Sequence, residues 1–342
     1  MFSAGEKRIC RVGITAALKE MSLYKEGLGV LSITFLLVKL QDNQCTINMA
    51  TRKLTQVVRG QHAVDGAGVR LRRVLGYRTI RDFDPFLMLD GFDSKDPQDY
   101  IKGFPWHPHR GIETVTYLLK GEIEHGDSLG NKGIIGDLQC QWMTAGSGII
   151  HQEMPLAAER MLGCQLWVNL PKKDKMTQPA YRDIRQQDVA VVNEENATVR
   201  VLSGNYKNNS GAVKGEYVRV QYLDVDLMPD NVWSYRETPN DQTLFLYLID
   251  GTLAADEALA SFEEKACAML LTALSPANNE SDEVIVKSGP EGARFLLIAA
   301  KPIQEPVAWG GPIVMNTQEE LNLAFSELEN RTFIKHDKPL EL

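Results

Sequence analysis

Tyr117-Leu118-Leu119-Lys120-Gly121-Glu122-Ile123 returns later in the chain as Tyr247-Leu248-Ile249-Asp250-Gly251-Thr252-Leu253, with the matched glycines 130 residues apart (251 minus 121). A repeat at that distance predicts two similar β-domains in tandem. The surrounding sequence agrees. Leu54–Val58, Arg70–Leu75, Phe86–Leu89, Thr114–Leu119, Leu162–Asn169, Tyr217–Val225, Leu244–Ile249 and Phe295–Ala299 read as strands, being alternating or rich in β-branched and aromatic residues. Turn signals such as Asp65-Gly66, Gly130-Asn131 and Asn208-Asn209-Ser210-Gly211 separate them. So many short strands predict an all-β chain of antiparallel sandwiches or barrels. One helix is predicted, Asn316–Asn330, with Thr317 as N-cap, Glu320 at the capping-box position and an apolar stripe of Leu321, Ala324, Phe325 and Leu328.

The domains are expected at 49–185 and 186–342, with residues 1–48 set aside as an extension. Leu170–Pro179, polar and bracketed by prolines, reads as the start of the connection. In the extension, the 11-residue apolar run Leu28–Val38 is too short to span a bilayer. Glu6, Glu20, Glu26 and Asp42 argue against a secretory or organelle leader. Met49-Ala50-Thr51-Arg52-Lys53 looks like a second start.

Composition narrows the function. With 342 residues, 44% of them hydrophobic, the chain can build two cores. Its net charge of −8 speaks against direct binding to a phosphate backbone, so a role at a nucleic acid would have to run through a protein partner. Cys10, Cys45, Cys140, Cys164 and Cys267 form no CxxC and, being five, cannot all pair, which indicates neither a disulfide scaffold nor a thiolate zinc site.

The histidines are more informative, because four of the six fall between His107 and His151. His107-Pro108-His109 puts two imidazoles at i and i+2, on one face of an extended chain and roughly 6 to 7 Å apart at Cα. His151-Gln152-Glu153 repeats the spacing with a carboxylate. If both segments face one interior, three nitrogens and one oxygen converge. That thiolate-free set suits a first-row divalent ion with positions left open for substrate and dioxygen, and it does not choose among Fe, Ni, Cu and Mn. Glu153 can serve as ligand, as proton acceptor, or as both. Arg110 and Glu113 are candidates for orienting the ligands, or else a solvated strand end. His125 is expected in a structural or loop role, and His62 and His336 at the surface. Counted back from the repeated glycine, His107 and His109 correspond to Glu237 and Pro239, so one metal per chain is expected, in the first domain.

Gly103-Phe104-Pro105-Trp106-His107-Pro108-His109-Arg110-Gly111-Ile112-Glu113-Thr114 and the run Trp142–Pro155 resemble the pirin family of bicupins, as do Leu166–Pro171 and Gly311–Thr317. The resemblance extends from about Met49 to the C-terminal region. It implies two tandem cupin barrels, jelly-roll-like and antiparallel, with a short C-terminal helix. It also implies one iron (Fe2+/Fe3+) in the N-terminal barrel, held by His107, His109, His151 and Glu153. The implied activity is that of a quercetin 2,3-dioxygenase, taking a flavonol-like molecule and dioxygen and releasing carbon monoxide, with Glu153 as proton acceptor. The alternative is a non-enzymatic, iron-redox-dependent nuclear cofactor that binds transcription regulators. A monomer without membrane or direct nucleic-acid contact, in the nucleus and/or cytoplasm, is expected. One departure stands out: Cys140-Gln141 separates Gln139 from Trp142, where the family runs straight on. An insertion of two preserves strand alternation, whereas a bulge would not.

Overall fold

The computed structural model describes residues 50–272 and 281–336. Residues 1–49, with the run Leu28–Val38 and Cys10 and Cys45, lie outside them. The chain opens with β1 (Lys53–Arg59), β2 (Gln61–Asp65), β3 (Val69–Leu75), β4 (Phe86–Ser94), β5 (Phe104–His109) and β6 (Ile112–Lys120). It continues through β7 (Ile123–Asp127), β8 (Lys132–Ile135), β9 (Cys140–Thr144), β10 (Ile149–Pro155), β11 (Met161–Asn169) and β12 (Ala180–Ile184). The second half holds β13 (Ala190–Asn193), β14 (Ala197–Ser203), β15 (Asn205–Tyr206), β16 (Asn209–Ser210), β17 (Gln221–Leu227) and β18 (Val232–Pro239). Then come β19 (Thr243–Ala254), β20 (Phe262–Glu264), β21 (Cys267–Thr272), β22 (Ser281–Ala300), β23 (Ala308–Gly310) and β24 (Ile313–Met315), followed by the helix Gln318–Glu329.

The first barrel is made of a four-stranded sheet, β5-β10-β7-β8, and a seven-stranded sheet, β12-β9-β6-β11-β4-β3-β2. The second barrel is built on a nine-stranded sheet whose main path is β1-β21-β19-β22-β17-β14-β13. All named pairings between strands are antiparallel. The expected all-β fold with two cupin barrels and a short C-terminal helix is the one observed. No described helix is long and apolar enough to cross a membrane.

Strand alternation explains why β6 and β11 are buried almost throughout. Val115, Tyr117 and Leu119 of β6, with Cys164, Leu166 and Val168 of β11, join Tyr222, Phe245, Tyr247, Leu296 and Ile298 of the second half in one core cluster. The alternate residues Thr116, Gln165 and Trp167 line a cavity inside the first barrel. Burying each such large side chain contributes about 1.5–3 kcal/mol. The repeated tyrosines hold equivalent places. Tyr117 Oη donates to Asp224 Oδ2 in the second half at 2.7 Å. Tyr247 Oη lies so close to Gly91 of β4 that a Cβ there would sit 2.0 Å from it.

Two exchanges cross the linear division at 185/186. β1 pairs with β21 and so completes the second barrel's sheet, although it precedes the first barrel in sequence. At the other end, residues 308–333 return to the first barrel: Ile313 bridges Arg110, and Val314 N donates to Arg110 O at 3.1 Å. Gly111 permits that crossing, since its φ is +77° and a Cβ would meet Val314 O at 2.0 Å.

Local readings fare differently. Thr317 caps the helix by accepting from Glu320 N, and the Glu320 side chain returns the bond, completing the expected capping box. β9 keeps an unbroken register with β6 from Glu113↔Thr144 to Tyr117↔Cys140, so Cys140-Gln141 causes no bulge in that pairing. Cys140, Cys164 and Cys267 are buried and free. The strand expected from Tyr217 starts at Gln221.

Candidate metal centre

β5 carries two prolines among six residues, which suits its place at the edge of the four-stranded sheet, where missing N–H groups cost no ladder bonds. Its pairing with β10 puts His107 opposite His151 and His109 opposite Ile149. The ligand atoms of His107, His109 and His151 consequently lie within 4.8 Å of one another.

The proton arrangement of this cluster can be worked out from its partners. His107 Nδ1 lies 2.9 Å from Pro105 O, and His109 Nδ1 lies 3.0 Å from Pro312 O. A carbonyl only accepts, so both Nδ1 atoms carry the hydrogen, and in the neutral rings both Nε2 atoms present lone pairs. Those two Nε2 atoms face each other at 3.1 Å. His151 is 1% exposed, and neither of its ring nitrogens has a hydrogen-bond partner. Two opposed lone pairs beside a buried, unpartnered imidazole fit a bound cation and leave it little competition. Burial, with nearby His107 as the lesser cause, pulls His109 from its usual 6.5 down to about 3, and the same causes hold His151 well below the ordinary histidine range. Both rings are therefore neutral and able to bind a metal at physiological pH.

Glu153 faces the same cavity but stands outside the three-histidine group. Its Oε1 accepts from Thr116 Oγ1 at 2.9 Å, and Gln165 Nε2 donates to Oε1 and Oε2 at 3.0 and 2.9 Å. Gln165 Oε1 in turn accepts from Trp167 Nε1 at 3.1 Å. An indole N–H can only donate, so it fixes the Gln165 amide with its NH2 toward Glu153. Sequence reading missed Thr116, Gln165, Trp167 and Pro312. The i, i+2 spacing of Gln165 and Trp167 on a strand was the available signal.

The other histidines are separate from the cluster. His125 is buried on β7, directly across from Glu153, with its Nε2 held by Tyr181, which also bonds Asp183. His62 is exposed, and His336, half-buried rather than at the open surface, meets Ser128 Oγ at 3.3 Å.

Neither Arg110 nor Glu113 hydrogen-bonds a ring of the histidine cluster, and neither is a solvated strand end. Arg110 is 2% exposed. It donates to Ser147 O and Phe333 O at 2.7 and 2.8 Å, pairs with Glu327 at 2.7 Å and lies over the Phe333 ring. It ties the C-terminal segment to the first barrel. Glu113 shares its strand face with Val115 and Tyr117, toward the second half and away from Thr116 and the cavity. Its Oε1 accepts from Thr144 and its Oε2 has no partner.

Burial pushes Glu113 up from 4.5 to about 7, against the hydrogen bond from Thr144 that lowers it. Between those two values the folded chain holds a proton that the unfolded chain has lost, so this group's contribution to stability falls as pH rises. The full effect is on the order of 3 kcal/mol above pH 7. Glu113→Gln is expected to flatten that decline, read as melting temperature against pH from 5 to 9. An unchanged slope would show that Glu113 ionises freely in the folded protein.

A cavity of about 620 Å³ opens over His107 and His109. Phe92, Phe104, Trp167 and Trp309 give it aromatic walls, and Asp65, Arg73 and Asp90 form a polar corner. In that corner Arg73 grips Asp90 with two bonds of 2.9 and 2.7 Å and Asp65 with one of 2.6 Å. The fold and site define a bicupin with one candidate metal centre among its described residues.

The chain belongs to the pirin family. Residues 68–168 match Pirin, and residues 222–334 match the Pirin C-terminal cupin domain. It is 40% identical over 288 residues to a pirin-like protein of Caulobacter vibrioides, covering 83% of this chain and 100% of that one. It is 37% identical over 287 residues to pirin of Homo sapiens, covering 82% and 93%. The crystal structure of a quercetin 2,3-dioxygenase from Acinetobacter baumannii is similar with a TM-score of 0.73 and 29% identity, covering 83% of this chain and 99% of that one.

Proposed function

We propose that this protein is an iron-dependent dioxygenase that opens the heterocycle of a flavonol such as quercetin and releases carbon monoxide. The observation that carries this reading is the three-imidazole cluster, two of whose rings, His107 and His109, line an aromatic-walled cavity that also contains a fixed carboxylate. Likeness to the Acinetobacter baumannii enzyme supports it. His107, His109 and His151 would hold the metal, which when bound supplies Lewis acidity and one-electron redox chemistry. Glu153 can accept the proton of the flavonol hydroxyl, and Gln165 and Thr116 keep its carboxylate aimed as the proton arrives. Phe92, Phe104, Trp167 and Trp309 present apolar surface to the planar rings and keep water from the reacting face.

Incubation of iron-loaded protein with quercetin is expected to bleach the flavonol absorption band in air and leave it intact under argon. Metal-free protein should leave it intact in both. Bleaching that does not depend on oxygen, or none at all with loaded protein, would overturn the reading.

A further inference from the structure

A ladder of aromatic rings leads from the histidine cluster to the surface. His109 meets Trp167 edge-on at 5.0 Å between ring centroids. Trp167 meets Trp309 at 5.8 Å, and Trp309 meets Tyr77 at 5.9 Å. The three non-histidine rings come from β11, from β23 in the returning C-terminal segment, and from the turn after β3. Tyr77 is 70% exposed, so burial of its ring gives little reason for its position.

The hydrogen bonds along the ladder suit the passage of an electron better than the trapping of a radical. Indole and phenol are among the most easily oxidised side chains. Trp167 Nε1 donates to the Gln165 amide and Trp309 Nε1 to Gly311 O at 2.7 Å, both neutral acceptors of low basicity. An oxidised indole at either place has no carboxylate on its nitrogen to take its proton, and so passes the oxidation onward. The exposed Tyr77 phenol can release its proton to water.

We propose that Trp167, Trp309 and Tyr77 form a one-electron conduit between a redox-active metal at the three-histidine site and the protein surface. The conduit drains oxidising equivalents when an oxidant reaches the metal with no substrate in the cavity. The inference rests on the metal reading above. With a peroxide as the oxidant, the peroxide O–O bond breaks and takes up two electrons, one from iron(II) and one from Tyr77 by way of the two indoles. Two waters form, consuming one proton from solvent and the phenolic proton of Tyr77, and iron(III) and a Tyr77 phenoxyl radical remain.

The test mixes iron(II)-loaded protein of measured metal content with hydrogen peroxide, without flavonol, and freezes it for electron paramagnetic resonance. A tyrosyl radical is expected in the parent protein. In Tyr77→Phe that signal should be lost and a tryptophanyl signal should persist in its place, while quercetin turnover stays at the parent level. In Trp309→Leu, confirmed as folded by circular dichroism and as iron-loaded, the tyrosyl signal should again be lost. A tyrosyl signal undiminished in Tyr77→Phe or in Trp309→Leu would overturn the conduit. So would a loaded parent protein that forms no aromatic radical. A chain that takes up no iron would overturn the metal reading along with it.

Discussion

His151→Ala is expected to abolish metal retention, lowering the content of the purified protein from about one ion per chain to background. The loss should exceed the roughly 10- to 100-fold that removing an outer partner of a ligand costs. His151 is the most diagnostic of the three because neither of its nitrogens bonds any other group. The Nδ1 atoms of His107 and His109, by contrast, also contact backbone carbonyls. Elemental analysis after dialysis reads the result, with His62→Ala, at an exposed histidine on β2, as a control expected to keep the parent content. Full metal content in His151→Ala would place the ion elsewhere.

Arg110→Ala is expected to cost about 2–5 kcal/mol of stability, since it leaves two buried carbonyl acceptors without a donor at about 1–3 kcal/mol each. The substitution leaves Ser147 O and Phe333 O without their donor and leaves Glu327 with Lys335, at 2.8 Å, as its remaining cation. It also removes the cation over the Phe333 ring, 4.1 Å from its centroid. The effect should be concentrated in the C-terminal segment, which carries Pro312 O to His109 and Trp309 to the cavity wall. Denaturant unfolding with hydrogen exchange across residues 308–333 measures both effects. A change under about 1 kcal/mol, as for an exposed pair, would show that the clamp is solvated in solution.

Much of this architecture was legible in the sequence because it is written locally. The Tyr117 and Tyr247 repeats announced two similar barrels, and the prolyl His107-Pro108-His109 pair announced a strand with two imidazoles on one face. Thr317 and Glu320 located the helix start through a capping box that needs only four residues. What the sequence hid depends on pairing over long separations. Nothing within Lys53–Arg59 says that its partner is β21, more than 200 residues on, and nothing in Pro312 says that its carbonyl will meet His109. Glu113 shows a subtler limit. Its nearness to the histidines in sequence suggested a role at the metal, but the strand period of two turned it toward the second barrel. For Gln165 and Trp167 the period-two signal was present, yet only the fold shows that their face looks into the cavity.

The most direct test of the proposed chemistry is the stoichiometry of a single-turnover reaction of iron-loaded protein with quercetin in closed vessels. Opening of the heterocycle by one dioxygen predicts equal amounts of quercetin consumed, oxygen taken up and carbon monoxide released. Quercetin consumed without carbon monoxide would contradict it, because that outcome marks simple oxidation of the flavonol in place of cleavage of its ring.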